Sequence, residues 1–262
     1  MRVSRGVASV LLASICALGA AGCAGSKTAA GPERSPGELY ARLLGPNAGL
    51  TSLRAVVEAR LSYAGRRISM PGVLLLDALG GFRLDLLDPL DKPVAMIFSE
   101  NGRIVQYRPG TGIAASLGVF PDDCRGVAPE DWVAAILASS TGPQGGERIA
   151  VRRLFAGDRI LERWRKEGLY ESVRFREVGG EPQPRVFSWY CGEDAVLQLK
   201  VTQPPAAGAE RRLPPAFEVG FVKAGLTVAL ELREVEANPV LSGSPVRPRL
   251  AEGTRWTTWR LP

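Results

Sequence analysis

The chain has 262 residues, 45% of them hydrophobic and 23% charged, with a formal net charge of +6 and no histidine. That composition is globular and excludes an intrinsically disordered chain. The lack of histidine removes the commonest general base, the Ser-His and Cys-His dyads and histidine metal sites.

The N-terminus carries the most specific signal. Arg2 and Arg5 precede the apolar run "VASVLLASICALGA", and small residues follow, ending in "AAGC" at Cys23. This is the pattern of an export signal over residues 1–22 rather than of a spanning helix. No second apolar run is long enough to span a bilayer. The small residues before Cys23 resemble the lipobox of bacterial lipoproteins. That resemblance implies cleavage before Cys23 and acylation of its thiol and amine. Ala24 follows in place of the Asp that commonly retains lipoproteins at the inner membrane, so the expected place is the outer membrane, lipid-anchored and facing the periplasm. Several acyl chains hold firmly, since each buried methylene contributes about 0.8 kcal/mol. Loss of Arg2 and Arg5 leaves a mild basic excess. Lys and Arg are interspersed with Asp and Glu, which suits a solvated surface or an anionic partner and gives no reason to expect nucleic acid.

Residues 23–34, "CAGSKTAAGPER", read as a lipidated cysteine and flexible tether. A single domain over 35–262 follows. "SPGELYARLLG" has Ser35 as N-cap, Pro36 at the first helical position, Glu38 to complete a capping box and Gly45 as terminator. Leu39, Leu43 and Leu44 share its buried side. From Leu53 the apolar period becomes two, with Ala55, Val57, Ala59, Leu61 and Tyr63 on one face. "RRISMPGVLLLDALG" and "GFRLDLL" continue as strands. "KPVAMIFSENG" and "RIVQYRPG" form a hairpin across Asn101-Gly102. About five antiparallel strands are expected here.

Between Leu87 and Pro93 lies Asp88-Pro89-Leu90-Asp91. Pro89 suits the second position of a turn, and aspartates tolerate tight bends. That sets Leu90 at a tip, where side chains are normally polar. Leu90 either folds back on the sheet or is held outward.

"TGIAASLGVFPDDCRGV" reads as a loop with one helical turn. "APEDWVAAILASS" reads as a helix from Pro129 to about residue 139 with acids in its first turn, and Trp132, Ile136 and Leu137 share a face. Strands resume at Arg148 with "RIAVRRLFAG", "RILERWRKEGL", "YESVRFREVGG", "RVFSWYCG" and "AVLQLKVTQ". "PPAAGAERRLPPA" reads as an exposed loop. "FEVGFVKAG" and "LTVALELREVEANP" make a last hairpin, with Leu226, Val228, Leu230 and Leu232 on one face. The Pro-rich tail beyond Ser242 is expected along the surface. The sum is an α+β fold, a curved antiparallel sheet that forms a half-open, incomplete β-barrel, covered by a few short helices around an apolar cavity.

Catalytic chemistry finds no support. Asp122-Asp123 and Glu193-Asp194 are adjacent carboxylates, which on a strand point to opposite faces. No metal-ligand spacing or cofactor motif is present, so neither metal nor cofactor is expected. Cys124 and Cys191 are left in the body, and an oxidising compartment permits a bridge between them. A bridge and two separate apolar thiols stay equally open.

The order of signals resembles the LolA/LolB superfamily, most closely the LolB-like outer-membrane lipoproteins. It is carried by the acylated Cys, the short helix, "LTSLRAVVEARLSYAGRRISMPGVLLL", "FRLDLLDPLDKPVAMIFSENGRIVQY", "APEDWVAAILASS" and the closing "LTVALELREVEANPVL". The match covers roughly residues 35–140 and 226–241. It implies that acyl chains of lipoproteins pass from a periplasmic LolA-like carrier into an apolar cavity and on into the outer membrane. In such receptors the leucine of this Pro-Leu turn protrudes and assists insertion, and Leu90, after Pro89, matches it. Asp91 stands where a Gly is usual. The cavity candidates are Leu61, Leu74, Leu84, Leu86, Ile97, Trp132, Val228 and Leu230. A module for another envelope lipid, and a structural or adaptor lipoprotein with a filled core, are the other readings.

Overall fold

The computed structural model describes residues 34–44, 47, 49–78, 81–120, 124, 127–137, 146–206, 213–240, 246 and 248–262. The export signal, Cys23 and the tether as far as residue 33 lie outside the described residues. The fold belongs to one compact unit, Ser35–Pro262, which carries its own core.

Helix α1 (Pro36–Leu44) starts as its sequence predicts. The Ser35 N–H donates to the Glu38 carboxylate at 2.8 Å and the Glu38 N–H donates to Ser35 Oγ at 3.2 Å, a reciprocal capping box. Among the described residues fourteen strands follow: β1 (Ser52–Tyr63), β2 (Arg66–Asp77), β3 (Gly81–Leu87), β4 (Pro93–Glu100), β5 (Arg103–Arg108), β6 (Ile113–Gly118), β7 (Arg148–Arg153), β8 (Asp158–Arg165), β9 (Gly168–Val178), β10 (Glu181–Cys191), β11 (Asp194–Gln203), β12 (Ala216–Phe221), β13 (Leu226–Ala237) and β14 (Arg255–Thr257). Helix α2 (Asp131–Leu137) lies between β6 and β7.

One sheet holds them all, in the order β14-β6-β5-β4-β3-β2-β1-β13-β12-β11-β10-β9-β8-β7. Two meanders, β1–β6 and β7–β13, join where β1 pairs with β13. Every pairing is antiparallel except β14 with β6. The order ends in β14 and β7, so among the described residues the sheet does not close; the half-open, incomplete barrel expected from the sequence is what forms. No described helix is long and apolar enough to cross a membrane.

Alternation sets the faces. Leu53, Ala55, Val57, Ala59 and Leu61 of β1 are buried with Leu226, Val228, Leu230 and Leu232 of β13. Their outward neighbours pair across strands, Arg54 with Glu236 and Glu58 with Arg233. Asn238 pins the seam where β13 meets β1: its Oδ1 accepts from the Thr51 N–H at 2.8 Å and its N–H donates to the Ser52 carbonyl at 2.9 Å. Pro71 is tolerated inside β2 because the ladder to β3 begins only at Gly72. Gly72 itself must be glycine, since a Cβ there would stand 2.5 Å from the Asp85 carbonyl oxygen.

Three expectations change. The segment read as a loop after Gly112 contains β6, because β5 offers an open edge and the small Ala114 and Ala115 are buried on opposite faces of the sheet, Ala115 in the main core and Ala114 in an outer cluster. Helix α2 starts at Asp131, two residues later than expected; Pro129 and Glu130 form the turn before it. The C-terminal tail does not simply lie on the surface. Leu250 covers a small outer cluster of Phe98, Val105, Tyr107 and Ala114. Beyond β14 the chain turns inward and buries Trp259 and Leu261 in the main core, with Trp259 edge-on to Tyr63 at 6.4 Å. The Arg108 guanidinium holds this end by donating to the Leu261 carbonyl at 3.2 Å.

Candidate functional site

Helix α2 sets the inner boundary of the site. Its first residue, Asp131, accepts from the Ala128 N–H at 2.9 Å, and its own N–H donates to the Ala128 carbonyl at 3.1 Å, which closes the turn that leads into the helix. One residue on, Trp132 points into the hollow of the sheet and is 2% exposed. Its ring packs 5.3 Å from that of Phe82 and 5.9 Å from that of Phe217. Beneath it lies an apolar slot of only about 20 Å³. Six of the eight cavity candidates line it: Leu74, Leu84, Ile97, Trp132, Val228 and Leu230, with Phe82, Val219 and Phe221. Leu61 and Leu86 are fully buried in the same core but away from the slot. Trp132 therefore fills the hollow as a plug. Its indole N–H has no hydrogen-bond partner, an uncommon state for a buried tryptophan.

A second, open cavity of about 290 Å³ begins on the other side of α2. Its origin is a split in the sheet. Pro182 and Pro184 in β10 lack the N–H that β11 would need, so the β10–β11 ladder begins only at Val186, opposite Lys200. β11 runs on to Gln203 beside β12 alone. Into this gap project Leu43 and Leu44 of α1, Ala135 and Ile136 of α2, Phe187, and Pro205 and Pro214 of the flanking segment. Arg42 and Glu181 form an ion pair at 2.7 Å at its edge. Sequence reasoning missed this cavity. β10 starts at Glu181, not Arg185, and the signal was "EPQP", a strand that can pair on one side only.

A polar clamp ties both helices to β8 and β9. Arg163 donates to Glu147 at 2.7 Å and to Tyr40 Oη of α1 at 2.9 Å, and reaches Glu171 at 3.4 Å. The Tyr40 hydroxyl donates to Glu171 at 3.3 Å. Arg165 lies 3.4 Å from the centre of the Tyr170 ring, and the Tyr170 hydroxyl donates to Asp131 of α2 at 3.5 Å. Burial, reinforced by neighbouring Glu130, raises Asp131 to about 6, although the Ala128 N–H, Tyr170 and Arg165 all oppose the shift. Burial likewise raises Glu171, against the pull of Arg163 and Tyr40.

Leu90 occupies the β3–β4 turn and is 75% exposed. It does not fold back. Asp88 Oδ1 accepts from the Leu90 N–H at 2.8 Å and the Lys92 N–H at 2.9 Å. Asp91, where the resemblance has Gly, takes φ +60°, the left-handed region that aspartate tolerates. The turn thus survives the departure and holds Leu90 outward, with Pro89 before it. Cys191 is a free thiol, so it forms no bridge to Cys124; both pack at the margin of the core. No cluster of metal-binding side chains occurs among the described residues.

No family model matches the sequence, and no curated protein matches it either. Solved structures do. The chain is similar to a DUF1329 family protein from Desulfovibrio piger, at 12% identity over 79% of this chain and 93% of that one, with a TM-score of 0.49. It is similar to a protein named as an outer membrane lipoprotein-sorting protein domain from Vibrio parahaemolyticus, at 12% identity over 80% and 95%, TM-score 0.49. It is also similar to a LolA superfamily protein from Nitrosomonas europaea, at 10% identity over 79% and 96%, TM-score 0.46.

Proposed function

We propose that this chain is an envelope lipoprotein, anchored through Cys23 in the outer membrane, that binds acyl chains between its sheet and helices and passes lipoproteins from a periplasmic LolA-like carrier into the bilayer. Catalysis has no part in it. The observation that carries the reading is Leu90, an exposed leucine on a turn braced to keep it outward. The cavity in the β10–β11 split offers the first apolar contact; its size is close to the lower bound of ligand pockets, about 300 Å³. Further burial requires α2 to withdraw Trp132, since a slot of about 20 Å³ holds no chain. Transfer is then driven by apolar burial alone. A leucine contributes about 1.5–3 kcal/mol on burial, which suits transient dipping into the membrane while the lipid on Cys23 anchors.

The filled slot also favours a second reading, a structural or adaptor lipoprotein. Titration of residues 35–262 with a fluorescent fatty acid separates the two. The transport reading expects saturable binding, weakened at least about tenfold by Ala135→Phe, which fills the open cavity. An absence of saturable binding by folded protein, or binding indifferent to Ala135→Phe, would count against the acyl-chain site and for the adaptor.

A further inference from the structure

Phe155 is the most exposed large apolar residue among those described, at 97%, and it sits at the tip of the β7–β8 turn. A single exposed apolar side chain is ordinarily unremarkable. This one is built in the same way as Leu90. Each is followed by a non-glycine residue in the left-handed region, Asp91 at φ +60° and Ala156 at φ +61°. Each turn is closed by an aspartate. Asp88 gathers the backbone N–H groups of its turn, and Asp158 anchors the other: its carbonyl accepts the Leu154 N–H at 2.8 Å, and its carboxylate receives Arg174 at 2.9 Å and Arg176 at 2.7 Å. Arg176 also donates to the Ala156 carbonyl at 3.3 Å. Phe155 is therefore held out by a braced turn, at a cost in left-handed backbone that an ordinary connector would avoid with glycine.

The surroundings differ from those of Leu90. On the outer face of β7–β9, Arg152 stands opposite Ile160, and Ile160 opposite Arg174; Arg176 faces Asp158 one step further. Arg152 pairs with Glu162. In these pairs the carboxylates are the buried partners. Asp158 and Glu162 side chains are 8% and 7% exposed, whereas Arg152, Arg174 and Arg176 are 61%, 53% and 44% exposed. The acids fix the guanidinium groups from below, and what faces outward is cationic.

We infer that the β7–β8 turn is a second membrane contact, in which Phe155 enters the interface of an anionic lipid bilayer and the collar of Arg152, Arg174 and Arg176 meets its phosphates. An aromatic ring beside arginines matches the acyl boundary and headgroup layer of such a surface. A neutral bilayer would satisfy only the ring. In the antiparallel ladder the β3–β4 and β7–β8 turns leave from opposite strand ends, so the contacts are separate and this one does not rest on the cargo reading.

The test is co-sedimentation of residues 35–262 with vesicles of phosphatidylcholine alone and of phosphatidylcholine mixed with phosphatidylglycerol. The expected result is preferential binding to the anionic vesicles, lost in high salt. Phe155→Ser, folded by circular dichroism, should bind them about tenfold more weakly. Phe155→Trp should restore binding, and Leu90→Glu should keep the anionic preference. Equal binding to both vesicle types, no binding to either, or undiminished binding by Phe155→Ser would overturn the inference.

Discussion

Two side chains, Leu90 and Trp132, carry opposite demands. Leu90 is an apolar group with nothing to cover it, so its replacement by glutamate removes no native contact. Leu90→Glu should change stability by no more than about 0.5 kcal/mol, measured by urea unfolding, while abolishing delivery to liposomes. Trp132 is the reverse case: it fills the hollow, and its indole N–H goes unpaired. Trp132→Ala should cost about 3–5 kcal/mol in stability. It should at the same time bind a fluorescent fatty acid more tightly, because the ligand then occupies space that the ring had filled. A variant both destabilised and no better at binding would show that the slot is ordinary core. Leu90 could be singled out in the sequence because turn chemistry is local. The unpaired state of Trp132 could not, because it depends on Phe82 and Phe217 arriving from distant strands.

At the scale of elements, α2 is the part whose docking depends on pH. Asp131 has a raised value in the folded state, about 6 against the ordinary 3.8. The folded protein therefore holds this proton more tightly than the unfolded chain. The stabilisation is complete below about pH 4 and is lost as pH rises through about 6, with a slope of at most about 1.4 kcal/mol per pH unit. Glu171, raised by burial, acts in the same direction. Unfolding by urea at about pH 5 and about pH 7.5 should show the protein more stable at the lower value. Asp131→Asn should reduce that difference and raise stability at neutral pH, since an amide oxygen can still accept from Ala128. An unchanged difference in Asp131→Asn would mean that the clamp of Arg163, Arg165 and Tyr170 neutralises the charge. At the other helix, Ser35→Ala removes the reciprocal cap of α1 and should cost about 1 kcal/mol. Both helices were legible from their caps and apolar faces. The clamp between them was not, because Tyr40, Glu147, Arg163 and Asp131 come from four separate stretches.

The whole molecule is one open sheet whose two meanders meet at β1 and β13, and the period-two alternation of those strands made that architecture readable. Legibility failed where pairing, rather than pattern, decides. β6 looked like a loop because Ala and Ser carry little periodic signal, yet the free edge of β5 recruits them. The tail looked like surface because its prolines mask Trp259 and Leu261, which enter the core only after β14 has passed the edge of β6. The open cavity beside α2 followed from two prolines that end a ladder early, and composition alone assigns those residues to turns. The reading of the chain as a device for moving acyl chains rests on features from all three scales, and a handover assay joins them. A LolA-like carrier loaded with a labelled lipoprotein would be mixed with residues 35–262, with and without liposomes, using the unmutated chain and Leu90→Glu. The account predicts that cargo moves to both proteins and that only the unmutated chain delivers it to liposomes. If folded protein takes no cargo from the carrier, or if Leu90→Glu delivers it as well as the unmutated chain, the account is contradicted.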